Sequence, residues 1–165
     1  MEKITSPKQL QLEILKDLYN AEVLSVSELL YFKKMCRTKA IQELIHNYLY
    51  DCRAHITVLE DLLEERNSSL FDDHCRTMKS LIKESKKLVE KCAEGTVRDL
   101  AVITALQRIC TCKNTAYRSL VKISEDPSDK RFAVKLQHIL QQETDMEKDL
   151  QDLITETTNL KEPAI

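Results

Sequence analysis

At 165 residues the chain is long enough for one domain with a real core, and a single Gly, three Pro and no Trp among abundant helix formers exclude a turn-rich β architecture. Charged residues make up 32% in mixed sign with a formal net charge of -2, so no basic face advertises nucleic acid. No apolar run of about 18 residues exists to span a membrane, and the opening Met1–Pro7 lacks the apolar core of a signal peptide. The expectation is a cytoplasmic protein with no nucleic-acid and no membrane partner. In that compartment Cys36, Cys52, Cys75, Cys92, Cys110 and Cys112 read as reduced and largely buried.

The first helix, α1, is predicted over 6–36. Ser6 is a good N-cap and Pro7 suits the first helical position. Leu10, Ile14, Leu15, Leu18, Val26, Leu29, Leu30 and Phe32 follow at close to a helical period, and cationic residues near Met35-Cys36-Arg37 suit a C-terminus. A second helix, α2, is predicted over 38–66, with Thr38 as cap and a stripe of Ile41, Leu44, Ile45, Tyr48, Cys52, Ile56, Leu59, Leu62 and Leu63. Arg66-Asn67-Ser68-Ser69 reads as a loop.

A shorter amphipathic helix, α3, is predicted over 72–92, its lysines Lys79, Lys83, Lys86, Lys87 and Lys91 forming a solvated face. Gly95 is the only glycine and a natural terminator. The next helix, α4, is predicted over 96–123 and is apolar on more than one side between Val97 and Leu106, as suits the most buried helix. Ser124 or Asp126 with Pro127 then opens the last helix, α5, over 127–158, ahead of a frayed tail from Asn159. Short links make α1–α2 and α4–α5 antiparallel hairpins, and the longer connection through α3 allows a crossover. The whole chain, 1–165, therefore reads as a single all-α domain, a ferritin-like four-helix bundle with a shorter helix in the crossover.

The informative residues interrupt the apolar stripes. Leu15, Leu18, Glu22 and Leu29 lie on one line of α1, so Glu22 is a carboxylate that needs a partner if buried. On α2, Asp51 and His55 are one turn apart on the face of Tyr48 and Leu59; on α5, Glu143 and Glu147 repeat the device between Leu140 and Leu150. Carboxylates on facing helices with an acid and an imidazole one turn apart are what a metal site in a bundle requires. On α4 the stripe reads Ile103, Leu106, Cys110, Lys113 or Asn114, and Tyr117, with no carboxylate at its middle.

The chain resembles the YciF/YciE-type stress proteins, a branch of the ferritin-like superfamily. The resemblance runs over nearly the whole length and is densest in Leu15-Lys16-Asp17-Leu18-Tyr19-Asn20-Ala21-Glu22. It continues in Cys75-Arg76-Thr77-Met78 with Leu81-Ile82, in Val97-Arg98-Asp99, in Gln107-Arg108 and in Ala116-Tyr117. It implies a four-helix bundle with a di-metal carboxylate centre and a homodimer. It assigns Glu22 to the α1 ligand, Asp51 to a position that is usually Glu, and His55 to one that is Gln or His. Glu143 and Glu147 match an acidic pair whose second member is usually Asp. The family's α4 motif, Glu-His-Tyr-Glu, here reads Cys110-Thr111-Cys112-Lys113, with both acids gone. That departure counts against di-iron chemistry.

Two readings of Lys113 stand side by side. Its ammonium can replace a metal's charge inside a ring of Glu22, Asp51, Glu143 and Glu147, or its stem can carry the charge out to solvent. Cys110 is core filler or a soft ligand beside His55, and it cannot chelate with Cys112, which lies about 200° round the helix. His46, His74 and His138 have no ligand-like company. Three functions follow in order: a stress-associated protein with a degenerate di-metal site and no oxidase activity; a metal-binding, ferroxidase-like protein using one iron, manganese or zinc ion; and a thiol redox sensor built on Cys110 or Cys112.

Overall fold

The computed structural model of the chain describes residues 3–68, 75–124 and 129–159. Within them the order is α1 (Pro7–Met35), α2 (Lys39–Glu64), α3 (Arg76–Lys91), α4 (Thr96–Ile123) and α5 (Lys130–Asn159), with no strand among the described residues. The expected openings of α3 at Asp72 and of α5 at Asp126-Pro127, together with His74 and the tail beyond Asn159, lie outside those residues.

The cap at Ser6 forms as its sequence predicts. Its hydroxyl accepts from the Gln9 backbone N–H, and the Gln9 side chain accepts in return from the Ser6 N–H. Thr38 differs, because its hydroxyl makes no cap bond of its own. The Thr38 hydroxyl turns instead to the buried Asp99, from the first turn of α4. Asp99 accepts from the N–H groups of Arg37 and Thr38 at 2.9 and 3.1 Å and from the Thr38 hydroxyl at 2.6 Å. A carboxylate from another helix thus satisfies donors that no local residue reaches. Gly95 caps α4 at φ +106°, a backbone conformation that a residue with a Cβ adopts only under strain.

Helices α1 and α2 pack as one hairpin and α4 and α5 as another; α1 and α4 join the two, and α3 lies mainly on α4. This is a ferritin-like bundle. On α3, Lys79, Lys83, Lys87 and Lys91 face solvent, while Lys86 pairs with Glu28 and lies over the Tyr31 ring. All six cysteines are free, with Cys36, Cys52 and Cys110 buried and the other three half-buried.

The apolar interior is divided. One half runs through Ala21, Leu29, Cys52, Leu106, Cys110 and Met146. The other holds Leu15, Leu18, Leu59, Tyr117, Leu136 and Ile139. Between them each long helix places polar side chains: Glu22 on α1, His55 on α2, Lys113 and Asn114 on α4, Glu143 on α5, all buried. A single ionic layer therefore crosses the bundle where the stripes were interrupted.

Candidate functional site

The layer is centred on Lys113. An α4 residue at this register points diagonally across the bundle, and its Nζ has no exposed surface. It lies 2.7 Å from Glu22 Oε2, 2.7 Å from Glu143 Oε1 and 3.3 Å from Cys52 Sγ, which uses the three N–H donors of an ammonium. His55 Nδ1 is 3.2 Å from Glu22 Oε1 and 3.4 Å from Glu143 Oε1, while its Nε2 is 3.2 Å from Gln142 Oε1. Three oxygens around one imidazole suit the doubly protonated ring.

Two phenols complete the carboxylates. Tyr117 donates to Glu22 Oε1 and Tyr48 donates to Glu143 Oε2, each at 2.8 Å. The Lys113 ammonium also sits 4.6 Å from the centroid of the Tyr48 ring. Asn114 donates to the Glu143 carbonyl at 3.1 Å, which fixes the α5 backbone beside the layer.

Electrostatics follow from this geometry. Burial opposes the charged form of Glu22, but Lys113 and His55 outweigh it and hold its pKa at about 2. Burial works against the imidazolium too, yet hydrogen bonds to Glu143 and Glu22 lift the His55 pKa to about 9. Burial also disfavours the Lys113 ammonium, and the surrounding acids raise it well above its ordinary value all the same. Both tyrosines are pushed up, first by burial and then by the neighbouring carboxylate, so they act as neutral donors. Two carboxylates face one ammonium and one imidazolium, so the layer balances at neutral pH.

Of the residues singled out in the sequence, Glu22, His55, Glu143 and Lys113 meet. Asp51 and Glu147 do not join them. Asp51 is half-buried at the edge, with burial raising its pKa. Glu147 is half-buried and accepts from Asn114 and Thr111, both at 2.8 Å, beside Arg118. Cys110 is buried, 3.3 Å from the Glu143 carbonyl and 3.5 Å from Glu143 Oε2; burial raises its pKa, which makes it a neutral thiol in a wall of the site. Cys112 is half-buried, and His46 and His138 are exposed. The reading of the stripes missed the roles of Tyr48, Tyr117, Cys52 and Gln142. A stripe tyrosine must place its O–H somewhere, and that signal was present for both phenols; nothing marked Gln142.

A model of the family described as a domain of unknown function, DUF892, matches residues 6–162. The chain belongs to the DUF892 family. Protein YciF of Escherichia coli strain K12 is 24% identical over 151 residues, which are 91% of each chain. The crystal structure of the E. coli stress protein YciF superposes with a TM-score of 0.89 at 23% identity, over 96% of this chain and 100% of that one. YcfI from Rhodopseudomonas palustris gives a TM-score of 0.85 at 20% identity, over 91% and 96%. A dodecameric thioferritin from Bacteroides fragilis gives 0.67 at 18% identity, over 94% and 93%. These likenesses establish the shared fold.

The ferritin-like fold raises the question of a di-metal centre, and the donor set does not fit one. Carboxylates enter from α1 and α5 only, and α4 supplies an ammonium that fills the space between them at 2.7 Å from each. Ligand atoms of Glu22, His55 and Glu143 do lie within 4.8 Å of one another, a spacing that can hold one ion. With Lys113 where it stands, a divalent cation there meets a positive charge at hydrogen-bond range of two of its three ligands.

Proposed function

We propose that this DUF892 chain is a YciF-like, stress-associated protein of structural role, without oxidase activity, in which the Lys113 ammonium replaces the positive charge of a metal. The observation that carries this reading is the pair of 2.7 Å contacts from Lys113 Nζ to Glu22 Oε2 and Glu143 Oε1. The acids inherited from a metal-binding arrangement need a cation to stay ionised in the core, and a lysine supplies it without an ion. The stress association comes from the resemblance to the YciF protein. The reading includes a cytoplasmic homodimer, tested by light scattering of the purified protein and by cell fractionation.

The direct test is metal analysis of protein purified without chelators. Iron, manganese and zinc are expected far below one ion per chain. A stoichiometric ion that is lost in Glu22→Ala overturns the reading in favour of one-ion binding by Glu22, His55 and Glu143, the grouping with metal-compatible spacing. The converse variant, Lys113→Glu with Cys110→Glu, returns acids to the two α4 positions where the family motif carries them and is expected to gain metal binding. A well-folded double variant that binds none counts against an inherited site.

A further inference from the structure

Lys113 has a neighbour outside the charge balance. Cys52 is fully buried on α2, and its Sγ lies 3.3 Å from Lys113 Nζ, across 61 residues of sequence. Glu22 accepts from the same ammonium at 2.7 Å, so the amine stands between a carboxylate and the thiol. The contact is set by the packing of the bundle: Lys113 is pinned by two carboxylates and a tyrosine ring, and Cys52 sits one turn from Tyr48 on the same α2 stripe. A direct N–S bond would need a large approach of the two side chains, whereas one inserted oxygen closes the gap with small torsional changes.

We propose that Lys113 and Cys52 are a modification site at which hydrogen peroxide forms a covalent Nζ–O–Sγ bridge. In the first step a peroxide oxygen is transferred to sulfur, the Cys52 thiol becomes a sulfenic acid, and one water leaves. In the second step the sulfenic O–H and one N–H are lost, the N–O bond forms, and a second peroxide is reduced to two waters. The sulfur and nitrogen give up four electrons in all, two to each peroxide. The extra proton of the ammonium is released to solvent. Once formed, the sulfenic acid stands against the amine and is sealed from solvent thiols.

The bridge has a consequence for the layer. A nitrogen bonded to oxygen is a far weaker base than a lysine amine, so the positive charge between Glu22 and Glu143 is removed. Oxidation thus turns a balanced layer into one with an excess carboxylate. The bridge rests on the reading that Lys113 occupies the layer, and its test reads a bond and not metal content.

The full-length reduced protein is treated with hydrogen peroxide, digested without reductant and analysed by tandem mass spectrometry. The expected product is a peptide pair joining Cys52 to Lys113, heavier than the sum of the two by one oxygen less two hydrogens, and lost on dithiothreitol treatment. The pair should be absent from Cys52→Ser, whose fold is checked by circular dichroism. Three outcomes overturn the proposal: a disulfide between Cys52 and Cys110, Cys52 as sulfinic or sulfonic acid with Lys113 unmodified, or an unmodified Cys52 when other cysteines are oxidised. Because the primary measurement uses the unaltered chain, a misfolded variant cannot hide the answer.

Discussion

Lys113 Nζ and Glu143 Oε1 lie 2.7 Å apart with neither side chain exposed, and Glu22 reaches the same ammonium from the opposite wall. An ion group of this kind is a weak source of net stability, because desolvation consumes much of the attraction, yet breaking it from one side is costly. The consequences can be measured one residue at a time.

Replacing Lys113 alone strands two carboxylates with one imidazolium. Lys113→Met is expected to lower unfolding free energy by about 3–5 kcal/mol in urea denaturation. Adding Glu22→Gln and Glu143→Gln to it should restore much of the loss, because the stranded charges are then gone. A triple variant no more stable than the single one would show that the methionine's shape, and not charge, is the problem.

Stability should fall on both sides of a plateau in pH. Glu22 is held at about 2, below its ordinary 4.5, so its contribution is full above 4.5 and disappears as pH falls toward 2. His55 is raised to about 9 from 6.5, so its contribution is full below 6.5 and disappears as pH rises through 9. Denaturant midpoints measured across this range should be highest between about 4.5 and 6.5. His55→Gln is expected to flatten the alkaline limb and leave the acid limb in place.

Asp99 is expected to matter more than its place on a helix surface pattern suggests. It accepts three hydrogen bonds from the Arg37-Thr38 corner. Asp99→Ala should cost about 2 kcal/mol and Thr38→Val, which removes one of the three, about 1 kcal/mol, read from thermal or chemical unfolding. Equal effects from the two would mean that the hydroxyl alone holds the corner.

Asp51 and Glu147 separate from the buried acids in the same assay. Asp51→Asn is expected to change stability by no more than about 0.5 kcal/mol. Glu147→Gln should cost about 1 kcal/mol, through its bonds with Asn114 and Thr111. Glu22→Ala, which leaves Lys113 underpaired in the core, should exceed both.

Much of the fold was legible because helix signals are local. Ser6-Pro7 announces the start of α1, Gly95 marks a break, and the apolar period marks which face turns inward. The cap on α2 was legible only in part. Thr38 stands at the N-cap, but its partner is Asp99, 61 residues away, and no local pattern names a partner across the bundle. The candidate site was legible to the same degree: interrupted stripes located Glu22, His55, Glu143 and Lys113, while the phenols that bind the carboxylates were counted as apolar filler.

The sequence by itself determined the bundle and the register at which polar residues enter its core, because a period of 3.6 residues decides which side chains share a face. It also determined that α4 brings no acid to that register. Only the tertiary structure decided which of the polar residues meet. One helical turn does not return a residue to the same angle, so Asp51 and Glu147 rotate to the edges while His55 and Glu143 stay inside. It also decided the direction of Lys113. A flexible four-carbon stem can deliver its charge to solvent or to the core, and the two buried carboxylates at 2.7 Å draw it inward.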